Sequence, residues 1–184
     1  MAGGRVFEIT GGDRVAFLQG LVTNDLGRLK DGLVYAALLT PQGKYLSDFF
    51  LWEQGDTIYL DIAPELAEAT LRRLSMYRLR ADVGIAESGL QVALAARGGL
   101  ADPRHPALPT RVYGTNLTQE AIDLDAIRVA HCIPESGVEL IPEESYILEC
   151  GFERLNGVDF RKGCYVGQEV TARMKHKTEL RKGS

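Results

Sequence analysis

Short apolar runs separated by turn-forming residues recur through the first half of the chain and predict β-strands. These runs occupy residues 5–9, 33–40, 45–52, 57–62, 80–86 and 90–97. They are rich in aliphatic, aromatic and β-branched side chains, which favour strands. Between the second and third run lie Pro41, Gln42, Gly43 and Lys44, a composition typical of a hairpin turn. We therefore expect a sheet that contains at least one tight hairpin.

Apolar residues at three- and four-residue spacing predict helices between these strands. Asp13 can cap a helix that runs to about residue 22, because the apolar side chains at 15, 18, 21 and 22 share one face. Pro64 suits the first turn of a helix that continues to about residue 76. Further helices are expected from residue 118 to about residue 131 and over residues 142–151 and 167–175, and a surface loop over residues 98–116. Strands and helices mix without a steady βαβ spacing, so the predicted fold class is α+β.

The composition narrows the classes of function. The 184 residues include 25 acidic and 21 basic side chains, so nucleic-acid binding would need a local basic patch. No apolar run approaches the roughly 20 residues of a membrane span, and no secretory signal opens the chain. Three widely spaced cysteines are typical of reduced thiols in a cytoplasmic protein. They form no Cys/His cluster, so a metal site built by this chain alone is not expected.

The most informative segment is residues 162–169, Lys-Gly-Cys-Tyr-Val-Gly-Gln-Glu, here called the signature loop. Cys164 lies between glycines, just ahead of a predicted helix and close in sequence to Lys162. The helix dipole and the lysine charge would favour the thiolate form, which is the reactive one. The alternative is a buried cysteine that packs in a glycine-rich turn. Cys132 and Cys150 fall on predicted helices among apolar neighbours, so we expect them to be inert core thiols.

The signature loop resembles that of the YgfZ family, and four further blocks resemble the family in the same order. These blocks are residues 17–25 (Phe-Leu-Gln-Gly-Leu-Val-Thr-Asn-Asp), residues 39–44 leading to Asp48, residues 77–80 (Tyr-Arg-Leu-Arg), and Arg128 followed by residues 133–135 (Ile-Pro-Glu). The chain is thereby identified as similar to YgfZ-type folate-binding proteins, which are related to the glycine-cleavage T-protein, an aminomethyltransferase.

The resemblance implies a T-protein-like folate-binding domain over residues 1–184, made of two interlocked α+β halves. The halves are expected to cover about residues 1–85 and 86–175. The family continues into a C-terminal β-barrel, which we expect to be absent from these 184 residues, and residues 176–184 would begin the linker to it. The implied function is a tetrahydrofolate-binding accessory protein that supports iron–sulfur cluster assembly or repair, and thereby tRNA modification indirectly. The alternative is a folate-dependent aminomethyltransferase of the T-protein type.

Candidate site residues follow from the same resemblance. Cys164 would be the functional thiol. Asp48 falls where T-proteins carry a catalytic Asp-Asp pair, which here reads Ser47-Asp48. Glu149 aligns with the glutamate that T-proteins use for the pterin, and a carboxylate can accept the pterin's adjacent amine and ring N–H together. The other candidates for folate contacts are Asn24, Asp25, Tyr165, Gln168, Glu169 and Arg173.

Most of these candidates have a structural alternative. Glu149 and Asp48 could be surface carboxylates, Asn24 and Asp25 could belong to a turn after a helix, and Tyr165 could pack in the core. The basic stretch that begins at Arg173 is a solvated helix face or linker by default, with a cradle for the folate tail or an RNA contact as alternatives. The expected partners are folate and iron–sulfur assembly proteins or client enzymes, without direct nucleic-acid or membrane contact. The expected location is the cytoplasm, or the mitochondrial matrix in a eukaryote.

Overall fold

A five-stranded antiparallel sheet forms the centre of the computed structural model, which describes residues 3–183. Its strands are β1 (Arg5–Thr10), β2 (Val34–Leu39), β3 (Tyr45–Gln54), β4 (Thr57–Ile62) and β5 (Gly84–Glu87). They lie in the order β2-β3-β4-β1-β5. The hairpin between β2 and β3 turns at residues 40–44, where the N–H of Thr40 donates to the carbonyl of Lys44 at 2.8 Å. The expected hairpin is therefore confirmed.

The remaining elements surround this sheet. The helices are α1 (Arg14–Gln19), α2 (Pro64–Arg78), α3 (Leu124–His131) and α4 (Gln168–Lys182), with a 3-10 helix at Leu26–Asp31. A second sheet pairs β6 (Gln91–Ala95) with β7 (Thr110–Gly114). Both sheets are antiparallel and open, so the α+β fold class is confirmed.

Both faces of the five-stranded sheet are buried, and β2 shows this most clearly. Val34, Ala36 and Leu38 face a cluster formed with α1, the 3-10 helix and α2. Tyr35, Ala37 and Leu39 face a second cluster that includes side chains from the segment 133–165. Successive strand residues point to opposite faces, so a strand buried on both sides must be apolar throughout. The sheet therefore separates two cores, and the segment that holds the signature loop packs on the second.

Three sequence predictions were wrong. The expected surface loop over residues 98–116 contains β7, and residues 118–123 are not helical. Residues 142–151 form turns rather than a helix, because β3 takes part of their backbone hydrogen bonding: the N–H of Tyr45 donates to the carbonyl of Ser145, and the N–H of Glu143 donates to the carbonyl of Tyr45.

No helix within residues 3–183 is both long enough and apolar enough to cross a bilayer. The division into halves near residue 85 stays a prediction, as does the linker over residues 176–184. Met1, Ala2 and Ser184, which these ranges include, lie outside the described residues.

Candidate functional site

Lys162 fixes the start of the signature loop. Its Nζ atom donates to the carbonyl oxygens of Gln19, Val22 and Asn24, at 2.7, 2.6 and 2.9 Å. These carbonyls lie at the end of α1 and in the turn that follows it. An ammonium group has three donors, and all three are used here. The ring of Tyr165 lies 5.0 Å from the same Nζ atom. The lysine thus ties the signature loop to a segment roughly 140 residues earlier.

Burial and the surrounding charges and hydrogen bonds act in opposite directions on the pKa values of the ionisable groups around Lys162. Burial lowers the pKa of Lys162 to about 8, although the nearby Asp25 and Asp159 carboxylates favour the charged amine. Hydrogen bonds from the N–H of Gly27 and from the Gln19 amide lower the pKa of Asp25. Burial acts to raise the pKa of Asp159, but hydrogen bonds from the Arg161 N–H and from Arg28 outweigh it and lower that pKa. Both acids are therefore ionised at neutral pH beside the buried amine.

The far end of the signature loop is fixed by close backbone packing. Gly167 has a φ of +83°, and a Cβ atom there would lie 2.6 Å from the Thr40 carbonyl oxygen. Only glycine satisfies both the left-handed backbone and that approach. The N–H of Val166 donates to the Gly20 carbonyl at 3.2 Å. The Gln168 amide donates to the carbonyl of Gly163 at 3.3 Å. The loop is consequently held at both ends, while Gly163 and Cys164 between them are exposed.

Cys164 is exposed, so the alternative of a buried cysteine was wrong, and one part of the expected setting of the thiol was wrong as well. The Lys162 amine points inward to its three carbonyls instead of adding charge beside the thiol. The prediction for the other cysteines was also wrong. Cys132 is exposed at the end of α3 with a φ of +53°. Cys150 is half-buried, and burial, followed by the Glu149 carboxylate, raises its pKa.

Asp48 lies on the second core's side of β3, where two tyrosines hold its carboxylate. The hydroxyls of Tyr35 and Tyr45 donate to it at 2.6 and 2.5 Å. Burial, and then the Asp48 charge, raises the pKa of both tyrosines, so both hydroxyls stay protonated. Ser47 points to the opposite face and accepts a hydrogen bond from Thr70 at 2.9 Å. Asp48 is therefore not a surface carboxylate, and the neighbouring position 47 does not supply a second acid on the same face.

Three arginines that were not among the predicted site residues share a small cavity with Asp48. The cavity measures about 30 Å³, room for about one water molecule. Arg111 pairs with Asp61 at 2.7 Å, and its guanidinium lies 4.5 Å from the centre of the Phe50 ring. Arg104 pairs with Asp102 at 2.8 Å, and Arg128 is the third arginine of the lining. Cross-strand register aligns Tyr35, Phe50 and Asp61, which the sequence alone does not show.

Glu149 borders a groove of about 510 Å³ next to this cavity. Its side chain is exposed, so the carboxylate lies at the surface. Arg128 and Pro134 line both the groove and the Asp48 cavity. Arg128 donates to the Ile133 carbonyl and pairs with Glu135 at 3.0 Å. The groove therefore combines an accessible carboxylate with an ordered guanidinium, at a size in the range of small-molecule sites.

The other candidates divide into two groups. The first group lies around Lys162 and comprises Asn24, Asp25, Tyr165 and Gln168. The contacts of Asp25 and Tyr165 are described above, and the Gln168 amide donates to the Lys162 carbonyl at 3.4 Å. The Asn24 amide donates to the carbonyls of Tyr35 and Asn156, both at 2.8 Å, so its donors are already used. Glu169 and Arg173 instead form an exposed ion pair on α4. Within residues 3–183, no group of three or more His, Cys, Asp or Glu side chains is placed to hold a metal ion.

Comparison with known proteins gives a consistent set of relatives. No family model matches the chain. It is 29% identical over 209 residues to the iron-sulfur cluster assembly factor IBA57 homolog, mitochondrial, of Pyricularia oryzae, covering 97% of this chain and 54% of that protein. The homologs of Phaeosphaeria nodorum (30% identity; 90% and 49% covered) and Mycosarcoma maydis (29%; 96% and 53%) match similarly. The chain spans about half the length of these curated relatives.

One of the solved structures that are similar to part of the chain is the crystal structure of glycine cleavage system aminomethyltransferase T from Bartonella henselae, at 19% identity and a TM-score of 0.45. The match covers 48% of this chain and 25% of the other. A similarity of that extent has no bearing on function. The names of the sequence relatives agree with the link to iron–sulfur cluster assembly that the resemblance implied. The specific assignment to the YgfZ family stays a prediction.

Proposed function

We propose that this protein is a tetrahydrofolate-binding accessory protein that supports iron–sulfur cluster assembly or repair, with Cys164 as its functional thiol. One observation supports the thiol above all: the signature loop is held at both ends, and its exposed tip presents Cys164. A thiolate is a preferred protein ligand of iron–sulfur clusters. The cluster or its iron is the cargo here, and Cys164 would supply one contact to it.

The names of the relatives support the same role. The curated proteins of Pyricularia oryzae and Phaeosphaeria nodorum are described as mitochondrial iron–sulfur cluster assembly factors. We infer assembly proteins or client enzymes as partners, with any effect on tRNA modification passing through client enzymes that contain clusters. We infer the cytoplasm as the location, or the mitochondrial matrix in a eukaryote.

The groove beside Glu149 fits a reduced folate better than the Asp48 cavity does. At about 510 Å³ the groove has room for a bicyclic ring, whereas about 30 Å³ does not. The exposed Glu149 carboxylate can accept two adjacent N–H donors from a pterin edge. Folate in this groove would lie near Cys150 and Arg154, which also line it.

The aminomethyltransferase alternative has less support from the site. General acid–base catalysis needs a carboxylate that can reach the reacting amine. Asp48 is held by two tyrosine hydroxyls at a cavity of about 30 Å³. We therefore expect no turnover with an aminomethyl-lipoyl donor and tetrahydrofolate. Turnover on the order of 1 per second or faster would reverse the ranking of the two functions.

A genetic complementation experiment tests the function. In cells that lack the protein, the wild type should restore the activity of iron–sulfur enzymes, and Cys164→Ser should not. Ala172→Ser places the same side chain on an exposed position of α4 and serves as the matched control. Equal rescue by Cys164→Ser and the control would exclude the thiol. Failure of the wild type to rescue would exclude the assembly role.

A further inference from the structure

The end of α2 carries an exposed apolar centre that the proposed function does not use. Leu79 is 86% exposed, the most exposed large hydrophobic side chain that the structure describes, and Met76 is 56% exposed. Met76 lies in the last turn of α2, and Leu79 directly follows the helix. The opposite side of this segment is anchored, because Leu74 is buried in the first core and Leu71 and Tyr77 pack against it. The exposed pair therefore projects from a fixed base.

The backbone presents Leu79 in a costly conformation. Its φ is +47°, a left-handed value that bulky residues rarely adopt. The turn that follows is tied down: the N–H of Asp82 donates to the Asp13 carboxylate at 2.8 Å, and the N–H of Gly12 donates to the Asp82 carboxylate at 2.9 Å. Backbone strain of this kind persists where the surroundings enforce it and often accompanies a function. The strained backbone does not bury the side chain of Leu79, which stays exposed.

Positive charge surrounds the apolar pair. Arg72, Arg78 and Arg80 are exposed, and Arg73 is half-buried. Among residues 3–183, none of these four arginines forms an ion pair, although other arginines such as Arg5 and Arg128 do. Arg78 donates one hydrogen bond to the carbonyl of Val83 at 3.4 Å. The chain as a whole has a net charge of −4, so this concentration of arginines without an ion pair is local. We call residues 72, 73, 76 and 78–80 the Arg–Leu patch.

We propose that the Arg–Leu patch is a docking surface for a protein partner that offers acidic side chains around an apolar pocket. Arginine and a central apolar anchor are the combination that dominates the energy of protein interfaces. Leu79 and Met76 would enter the apolar pocket, and the four arginines would pair with carboxylates around it. Phosphate backbones would attract the arginines but leave the two apolar side chains without a partner, so the patch fits an acidic protein better than nucleic acid. This inference does not depend on folate binding or on Cys164.

Site-specific photo-crosslinking in cells tests the proposal. The full chain is produced with the photoreactive residue p-benzoylphenylalanine at position 79, and a matched protein carries it at Val138, an apolar position that is 60% exposed elsewhere. We expect one discrete protein adduct from position 79 and none from position 138. Mass spectrometry of the adduct should locate the crosslink on a partner segment that contains Asp or Glu beside apolar residues. In the same background, Arg72→Glu with Arg80→Glu should lower the adduct yield about tenfold or more.

A second variant separates docking from folding. With the photoreactive residue moved to Met76, Leu79→Gly removes the anchor at a backbone position that suits glycine. Its unfolding midpoint should not fall, while its adduct should be lost. The proposal is overturned by an adduct that nuclease removes, by an adduct only with lipid or with a second copy of this chain, or by an adduct that survives both sets of substitutions. The absence of any adduct above the position-138 control overturns it as well.

Discussion

The Nζ atom of Lys162 lies 2.6 Å from the carbonyl oxygen of Val22 and also donates to the carbonyls of Gln19 and Asn24. We call these three acceptors the carbonyl cage. This contact joins the signature loop to the turn after α1, so the position of the exposed thiol depends on a buried charge. The arrangement resembles a C-terminal helix cap made by a lysine from a distant segment.

Replacing Lys162 with methionine should destabilise the protein by about 3 kcal/mol, because three buried carbonyls would lose their donor. Urea denaturation at neutral pH measures this difference. Lys177→Met is the matched control, since Lys177 is exposed on α4 and its loss should change stability by less than about 0.5 kcal/mol. If both variants unfolded at the same urea concentration, the cage would contribute nothing to stability.

The stability of the wild type relative to Lys162→Met should rise with pH above neutrality. Burial lowers the pKa of Lys162 from 10.5 to about 8 in the folded state. Between these two values the unfolded state binds more protons than the folded state, so the free energy of unfolding increases with pH. Below about pH 8 the amine is charged in both states and the difference stays constant. Urea midpoints of the wild type and of Lys162→Met at about pH 7 and about pH 9.5 measure this difference in stability. A difference that is flat or falls over that range would show that the cage keeps the amine fully charged.

Local sequence patterns predicted the first half of the fold well and the second half less well. The apolar run over residues 57–62 coincides with β4, because alternation and turn residues determine such strands locally. Residues 118–123 have a helical composition, yet they are not helical because they bond to the edge of β6. The side chains of Gln119 and Glu120 accept hydrogen bonds from the N–H groups of Leu94 and Ala96. Long-range hydrogen bonds of this kind override a weak local preference.

The sequence predicted which residues form the loop around Cys164 but not how the side chains of the site are arranged in space. The glycines at 163 and 167 indicated a tight, exposed loop around Cys164, which the structure shows. The direction of the Lys162 side chain depends on carbonyls roughly 140 residues away, so its nearness in sequence to Cys164 was misleading. The pairing of Arg111 with Asp61, separated by 50 residues, is set by strand register across two sheets and has no local signal.

The three cysteines should differ in their rates of alkylation. Cys150 should react slowest, because burial and the Glu149 carboxylate raise its pKa and lower its thiolate fraction. Cys164 is exposed and should react at least about tenfold faster than Cys150. Peptide mass spectrometry after timed iodoacetamide treatment gives the three rates. In urea, where all three thiols are exposed, the rates should converge.

The same experiment tests whether Cys164 only packs. Cys164→Ser should change stability by less than about 1 kcal/mol, because the side chain is exposed. Slow labelling of Cys164 together with a large loss of stability in the serine variant would make it a packing residue. The functional-thiol proposal would then have to be abandoned.

Glu149→Gln should weaken the binding of tetrahydrofolate by roughly 30- to 1000-fold, or about 2–4 kcal/mol. Glutamine keeps the shape of the side chain but replaces one acceptor with a donor, which would face the donors of the pterin edge. The stability of the protein itself should not change, since Glu149 is exposed. Isothermal titration calorimetry measures the affinity, with Glu144→Gln as the control, because Glu144 is an exposed glutamate nearby that does not line the groove. Equal affinities of Glu149→Gln and the wild type would remove Glu149 from the site while leaving folate binding in place. A wild type that does not bind tetrahydrofolate would instead remove the cofactor from the proposed function, and the roles proposed for Cys164 and for the Arg–Leu patch would still stand on their own tests.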